Sequence, residues 1–313
     1  MSDTQTSPPG DTAALVSSSA LGRRPSSVGR RLRNGAMTVL WALAGVGIAI
    51  VMWELVKWLG SVISLPINTS DATMPHVWSM VAVMGEPEVR GSETTVLQAV
   101  VMATFRSLIL AAGGFIIGAG VGLLLAVIMQ RFLFMERGLL PFVIASQTVP
   151  LIALAPLIVG IGNRISIGPI EWNTTYSVMF IAAYLAFFPV SVGALRGLQA
   201  PSPTAIELMR SYGASPGQTT RKLRFPASVP YLVPALKVSA AAAVVGTVVA
   251  EISTGVRGGI GRLLIEYARQ ITSQPSKVYV AVLGALVMGL IVAALVAALD
   301  MYLTRHLPKE TNA

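Results

Sequence analysis

The sequence predicts an all-α membrane protein with about six transmembrane helices, and three observations lead there. Of its 313 residues 54% are hydrophobic and only 12% charged, against about 25% charged in soluble domains, and the mean hydropathy is +0.70. The apolar residues gather in runs of about 20, the length a helix needs to cross the hydrocarbon core. The basic residues, which give a formal net charge of +9, sit at the ends of those runs. They form no continuous face with interleaved aromatics, so they report topology and not a nucleic-acid surface. The chain has no Cys, which removes disulfides, thiolate nucleophiles and thiolate metal sites.

Residues 1–35 are rich in Ser, Thr, Pro and Gly, with Arg23, Arg24, Arg30, Arg31 and Arg33 crowded before the first apolar run. This composition predicts a disordered, basic cytoplasmic tail. Arg30-Arg31 ahead of a hydrophobic segment also fits a twin-arginine or secretory signal, but the run 37–59 is too long for a signal core and lacks a small-x-small cleavage site. It is read as the first span, with Trp53 and Trp58 as interfacial anchors. From 60 to 95 the chain turns polar, and MPHVWSMVAVM within it predicts a short amphipathic helix at the outer face.

The second span, 106–129, carries Gly114, Gly118 and Gly122 on one helical ridge, which lets another backbone come close in a bilayer. A dinucleotide loop fails as a reading of these glycines, because no strand precedes them and no acid follows at the required distance. A loop at 130–138 with Arg131 and Arg137 leads to a third span, 139–162, holding Ser146, Gln147, Thr148, Pro150 and Pro156. Such residues face other helices or a cavity when placed in a membrane. An outer loop follows at 163–174. Asn173 there and Asn68 upstream head two glycosylation-type triplets, meaningful only in an organism that glycosylates. The fourth span is 176–198. The fifth, 230–252, is small-residue-rich and has Glu251 near its end. Glycines then give way to a short outer amphipathic helix with Leu263, Leu264, Tyr267 and Ile271, and the sixth span, 278–303, ends with Asp300, Arg305, His306 and Lys309. With both termini cytoplasmic, the inner segments hold twice as many of these flanking Arg and Lys residues as the outer ones, the asymmetry the positive-inside rule requires.

Between spans four and five lies AIELMRSYGASPGQTTRKLRFP, residues 205–226. Ala205, Leu208, Met209 and Tyr212 follow helical spacing, with Thr204 as the expected N-cap and Glu207 as its capping-box partner. Gly213 is placed to end this helix in a left-handed conformation. Ser215, Pro216 and Gln218 then announce a second start, expected to end before Pro226. Neither piece is long enough to be stable alone. This helix-Gly-helix elbow therefore predicts docking on a partner.

Glu207-Leu208-Met209, Gly213 and Leu223-Arg224-Phe225-Pro226 fall in the register of Glu-Ala-Ala, three residues, Gly, nine residues, Ile-x-Leu-Pro. The stretch resembles the EAA loop of the membrane-spanning permease subunits of binding-protein-dependent type I ABC importers. It departs from that pattern in Leu208, Met209 and Phe225, all apolar exchanges. The resemblance covers about 65–307 and looks closest to the permease branch serving nitrate, sulfonate and taurine importers and thiamine-precursor or riboflavin importers. It implies a permease domain over 36–307, with the coupling loop at 203–226 and a short cytoplasmic tail at 308–313.

By that resemblance the chain is a multi-pass subunit of a bacterial inner membrane. Two ATPase subunits binding ATP and Mg would grip the elbows of two permease subunits, identical or homologous, and an extracytoplasmic solute-binding protein would deliver a small solute. The ATPase-coupling residues would be Glu207, Leu208, Met209, Arg210, Gly213, Ala214, Ser215 and Pro226, with Arg210 and Arg221 facing acids on the ATPase. Gln147, Thr148, Tyr184, Ser239 and Thr247, each a polar group within an apolar span, are candidates for the translocation path. Each could equally serve helix packing.

No Gly-x-x-x-x-Gly-Lys-Ser/Thr run is present, so ATP would be handled by the partner, and no cofactor or metal is expected on this chain. Nucleic acid is not an expected partner; membrane lipid is. An intramembrane hydrolase would need a nucleophile with a base, paired aspartates or a zinc motif. His76 and His306 are the only histidines and fall on opposite sides of the expected topology. An ATP-independent secondary transporter or channel is the alternative reading, and the register of the elbow argues against it. No Arg or Lys stands out at the centre of a span, which suits a low-affinity path with selectivity held by the binding protein.

Overall fold

The computed structural model describes residues 27–63, 69–89, 91–162, 164, 166–167 and 170–304. The expected tail up to 26, Asn68, and Arg305, His306 and Lys309 with the 308–313 tail lie outside the described residues. The chain divides into two units, Met1–Leu59 and Gly60–Ala313. The first consists, in its described part, of residues 27–59 of helix α1 (Ser27–Val62), which begins ahead of the expected 37 and whose membrane-length apolar portion is Ala44–Val62.

The second unit runs α2 (Val77–Val83), α3 (Val96–Arg131), α4 (Leu133–Ser146), α5 (Leu151–Gly162), a two-stranded ribbon of β1 (Ser166–Ile167) and β2 (Ile170–Glu171), and α6 (Thr174–Gln199). It continues through α7 (Pro203–Ser211), α8 (Pro216–Thr219), α9 (Phe225–Thr254), α10 (Ile260–Ala268) and α11 (Pro275–Thr304). Among the described residues, five helices are long and apolar enough to cross a membrane, and six spans result if the bent α4–α5 pair counts as one.

Helix α6 is the centre of the second unit. Half of its apolar window is buried, against 28% for α3 and for α11. Bilayer lipid is as apolar as leucine, so helices associate there by close packing of small residues and not by expulsion from water. The Gly114-Gly118-Gly122 ridge does this on one side of α6. A Cβ on Gly118 would stand 2.5 Å from the Ala183 carbonyl oxygen, and one on Gly122 2.5 Å from that of Phe187. On its other side α6 meets α9 equally closely: a Cβ on Gly197 would come 2.8 Å from Ser228 Cα. The Ser239 hydroxyl, fully buried, donates to the Ala186 carbonyl at 2.6 Å.

Four expectations need correction. The second span starts earlier, because Thr95 and Gln98 form a reciprocal capping box, with Gln98 N–H donating to Thr95 Oγ1 at 3.3 Å and Thr95 N–H to Gln98 Oε1 at 3.1 Å. The loop at 130–138 is absent: the chain breaks only at Phe132 and is helical again from Leu133. The third span is not one helix. α4 and α5 meet at 102°, because Pro150 disfavours helical geometry at Val149 and has no N–H to continue the ladder. The outer amphipathic helix is α10, and it buries Leu263 and Tyr267 but ends at Ala268, leaving Ile271 beyond it and exposed.

The N-terminus of α10 is held from a distance. Its own N-cap, Gly259, has no side chain, and Glu251 at the end of α9 takes that role instead. The Glu251 carboxylate, fully buried, accepts from Gly261 N–H at 2.8 Å and from the Ser107 hydroxyl at 2.6 Å, while Ser107 Oγ accepts from Ile260 N–H at 2.8 Å. α3, α9 and α10 are thereby joined through one carboxylate and one hydroxyl, which between them meet two otherwise orphaned helix-terminal donors. The glycines beside it are required by space: a Cβ on Gly259 would fall on the carboxylate itself, and one on Gly261 2.5 Å from the Val248 carbonyl. The Tyr267 phenol, on the same helix, is pushed above its ordinary range by burial and by the nearby Glu88 and Glu266 carboxylates, so it stays neutral.

Gly118→Ala is expected to destabilise the unit by about 1–3 kcal/mol, the range of an overpacked contact. Gly120→Ala, where an added Cβ meets nothing within 4 Å, leaves the thermal unfolding midpoint of the detergent-purified protein unchanged or raises it. Glu251→Ala leaves the Ser107 hydroxyl and Gly261 N–H without their acceptor, at about 1–3 kcal/mol for each buried group. Amide exchange at Ile260 and Gly261 then accelerates while exchange in the middle of α6 does not.

Candidate functional site

Between α6 and α9 the chain leaves the apolar spans and builds the elbow. α7 is capped by Ser202 and not by Thr204: Ser202 Oγ accepts from Ala205 N–H at 3.3 Å, and Pro203 occupies the first turn. Glu207 is therefore too far along to close a capping box and stands exposed on the helix. The other end behaves as its residues dictate. Gly213 adopts φ +70°, its N–H donates to Arg210 O at 2.9 Å and Ala214 N–H donates to Met209 O at 3.0 Å, the paired bonds of a Schellman ending. Nothing lies within 4 Å of where a Gly213 Cβ would be. Backbone conformation, not crowding, demands glycine here.

α8 starts at once with a capping box, Gln218 N–H to Ser215 Oγ at 3.3 Å and Ser215 N–H to Gln218 Oε1 at 2.8 Å, with Pro216 in its first turn. It does not end before Pro226, as its sequence suggested. A π-helical turn over Thr220–Arg224 carries it directly into α9, with Phe225 N–H donating to the Thr220 carbonyl. Pro226 lies in the first turn of α9. The widened turn accommodates a residue that has no N–H and whose ring crowds the preceding carbonyls. The Arg224 guanidinium donates to Leu198 O at 2.7 Å, tying this junction to the end of α6.

α7 contains no buried residue. Leu208 is 57% exposed and Tyr212 82%. Set four residues apart, they lie one above the other on a single face. Glu207, Arg210, Gly213 and Ser215 are exposed too, while Met209 and Ala214 are half-buried. Leu208 and Tyr212 therefore give the elbow an apolar face, with exposed polar residues around the rest of it.

The five path candidates separate into two groups. Gln147 and Thr148 occupy the bend between α4 and α5, where Thr148 donates to Ala145 O at 2.8 Å and Gln147 Nε2 approaches Ser146 Oγ at 3.4 Å. Tyr184 on α6 joins them, its hydroxyl donating to the Ser146 carbonyl. Ser239 and Thr247 are fully buried on α9, their hydroxyls committed to Ala186 O and, at 2.9 Å, to Ala243 O. Among the described residues neither hydroxyl bonds to the bend. A charged pair missing from the sequence reading is Lys237 of α9 with Asp300 of α11, 2.5 Å apart, so one apolar span does carry a basic residue. Among the described residues no group of three or more His, Asp or Glu side chains is placed to hold a metal ion.

Residues 114–305 match the family described as the binding-protein-dependent transport system inner membrane component. Over 149 residues the chain is 30% identical to the formylaminopyrimidine transport permease protein ThiX of Halalkalibacterium halodurans, a match covering 46% of this chain and 56% of that relative, little more than half its length. Over 250 residues it is 27% identical to the putative aliphatic sulfonates transport permease protein SsuC of Bacillus subtilis, covering 75% of this chain and 84% of the relative. A chain from the crystal structure of an amino acid ABC transporter with histidines shares the fold, with a TM-score of 0.52 at 17% identity over 66% of this chain and 94% of that one. The α3–α11 core, the elbow between α6 and α9 and these matches agree: the chain belongs to the family of binding-protein-dependent inner membrane components, and is a multi-pass permease of the type I ABC importer fold.

Proposed function

We propose that this chain is the membrane-spanning subunit of an ATP-driven importer and that the elbow couples solute movement to a separate ATPase. The observation that carries the reading is the build of the elbow: a nine-residue helix with nothing buried, two exposed apolar side chains and a glycine-locked ending. Such a helix does not hold its shape or hide Leu208 and Tyr212 without a partner. Because α8 passes into α9 with no intervening loop, a displacement at the partner surface is delivered along a membrane helix. A two-state rearrangement needs such a link.

In this reading Glu207, Leu208, Met209, Gly213 and Ser215 meet the ATPase, Arg210 and Ala214 support that surface from beneath, and Pro226 sets the angle at which the elbow enters α9. ATP and Mg belong to that partner. Two permease subunits, two ATPases and an extracytoplasmic solute-binding protein make up the working assembly, with the elbow on the cytoplasmic side. Gln147, Thr148 and Tyr184 line the path at the α4–α5 bend, and Ser239 and Thr247 hold the helices behind it. The cargo is a small solute of the kind named for the relatives, an aminopyrimidine or a sulfonate.

Gly213→Val forces a β-branched residue into the left-handed region. Strain of about 1–3 kcal/mol at that one residue is enough to shift the elbow's native population by roughly fivefold to a hundredfold. The variant is expected to insert at the normal level and keep its unfolding midpoint, while solute-stimulated ATP hydrolysis by the reconstituted complex falls by about that factor. Normal stimulated hydrolysis together with normal uptake would contradict the assignment.

A further inference from the structure

A cavity of about 130 Å³ lies beneath the elbow, lined by Gln130 and Arg131 where α3 ends, by Arg210 of α7, and by Thr219, Thr220 and Arg224 where the chain enters α9. Three arginines thus line one small space, Arg224 with one guanidinium nitrogen already donated to Leu198 O. No carboxylate lines it, and among the described residues none of the three is in an ion pair. Arg210 and Arg224 are near enough to repel each other. Like charges held together without a counter-charge raise the free energy of the fold unless an anion joins them. Arg in particular presents forked donors that match a phosphate's oxygens.

The position of the cavity selects the anion. Its walls are the last residues of one membrane-length helix and the first turns of another, which sets it at the polar ends of both. It also lies away from the partner-facing surface of α7. Arg210 and Ile206 line it, four residues apart on one face, whereas the exposed Leu208 and Tyr212 are each two residues further on and therefore close to the opposite side of the helix. An acidic side chain of a protein docked on Leu208 and Tyr212 would approach from the wrong side. Basic pockets between membrane helices at the cytoplasmic boundary suit lipid headgroups.

We propose that this cavity binds the phosphate of an anionic phospholipid headgroup, making the lipid a structural part of the junction between α3, the elbow and α9. The inference rests on the membrane placement of α3 and α9, and takes from the coupling reading only the side of α7 that a protein partner covers.

The test titrates the purified full-length protein in neutral detergent with phosphatidylglycerol and, separately, with phosphatidylcholine, following the thermal unfolding midpoint. Phosphatidylglycerol is expected to bind and raise the midpoint, and phosphatidylcholine is not. Arg131→Gln with Arg210→Gln should weaken phosphatidylglycerol roughly thirtyfold, the loss expected for two basic residues near the membrane surface, and Arg131→Lys with Arg210→Lys should recover most of it. Arg196→Gln with Arg221→Gln removes the same charge from exposed sites outside the cavity and should keep the wild-type affinity. Should the double cavity variant fail to fold, Arg131→Gln alone should weaken binding roughly fivefold. Equal weakening by the two charge-removing pairs, unchanged affinity in the cavity variants, or displacement of phosphatidylglycerol by inorganic phosphate at equal concentration would each overturn the proposal.

Discussion

Close backbone approach on both sides of α6 is the constraint on which the rest of the second unit depends. In a bilayer no hydrophobic effect draws one apolar helix to another, so cohesion has to come from contact distance. Gly114, Gly118 and Gly122 bring α3 to α6, and Gly193, Gly197 and Gly246 bring α9 to it, with a Cβ on Gly246 standing 3.1 Å from Ala182 Cα. Hydroxyls then pin the surfaces that the small residues bring together, Ser239 to Ala186 O being the clearest case. Because interfaces of this kind have no slack, α3, α6 and α9 move as packed bodies and not as independent rods.

That rigidity gives the ends of the helices their meaning. At one end the α6–α9 junction is fastened by the Gly197–Ser228 approach and by Arg224 on the Leu198 carbonyl, and the elbow projects from it with its apolar side uncovered. At the other, Glu251 clasps α10 to the ends of α3 and α9. The elbow runs into α9 through a continuous helical turn, and the far end of α9 is bonded to α10. The same packed helix therefore links both faces of the unit.

Much of this was legible in the sequence, for local reasons. The spans followed from run length, the ridge from glycines at helical spacing, and the elbow from Gly213 and the Ser215-Pro216-Gln218 start, whose chemistry is complete within a few residues. The errors arose where a local signal had a rival or where the partner was distant. Thr204 and Ser202 are both competent caps, and Pro203 in the first turn decides for Ser202. Pro226 suggests a helix end, and only the π turn lets the chain pass through it. Pro150 announced the bend between α4 and α5, but the apolar run on either side read as one span. The clasp of Glu251 on Gly261 and Ser107, and the pairing of Lys237 with Asp300, join residues far apart in the chain, which no periodicity reveals. Ser239 and Thr247 carry hydroxyls inside an apolar span, and polarity in the sequence does not separate a hydroxyl facing a path from one bonded to a neighbouring carbonyl.

The central claim is that the Leu208–Tyr212 surface faces the cytoplasm and is covered by an ATPase. The natural absence of cysteine allows a direct measurement: Tyr212→Cys is the only thiol, and its modification by a membrane-impermeant maleimide can be followed from each side of sealed vesicles, with and without the ATPase. The account predicts labelling from the cytoplasmic side alone and protection when the ATPase is bound. Labelling from the external side, or a rate unchanged by the ATPase, would contradict it.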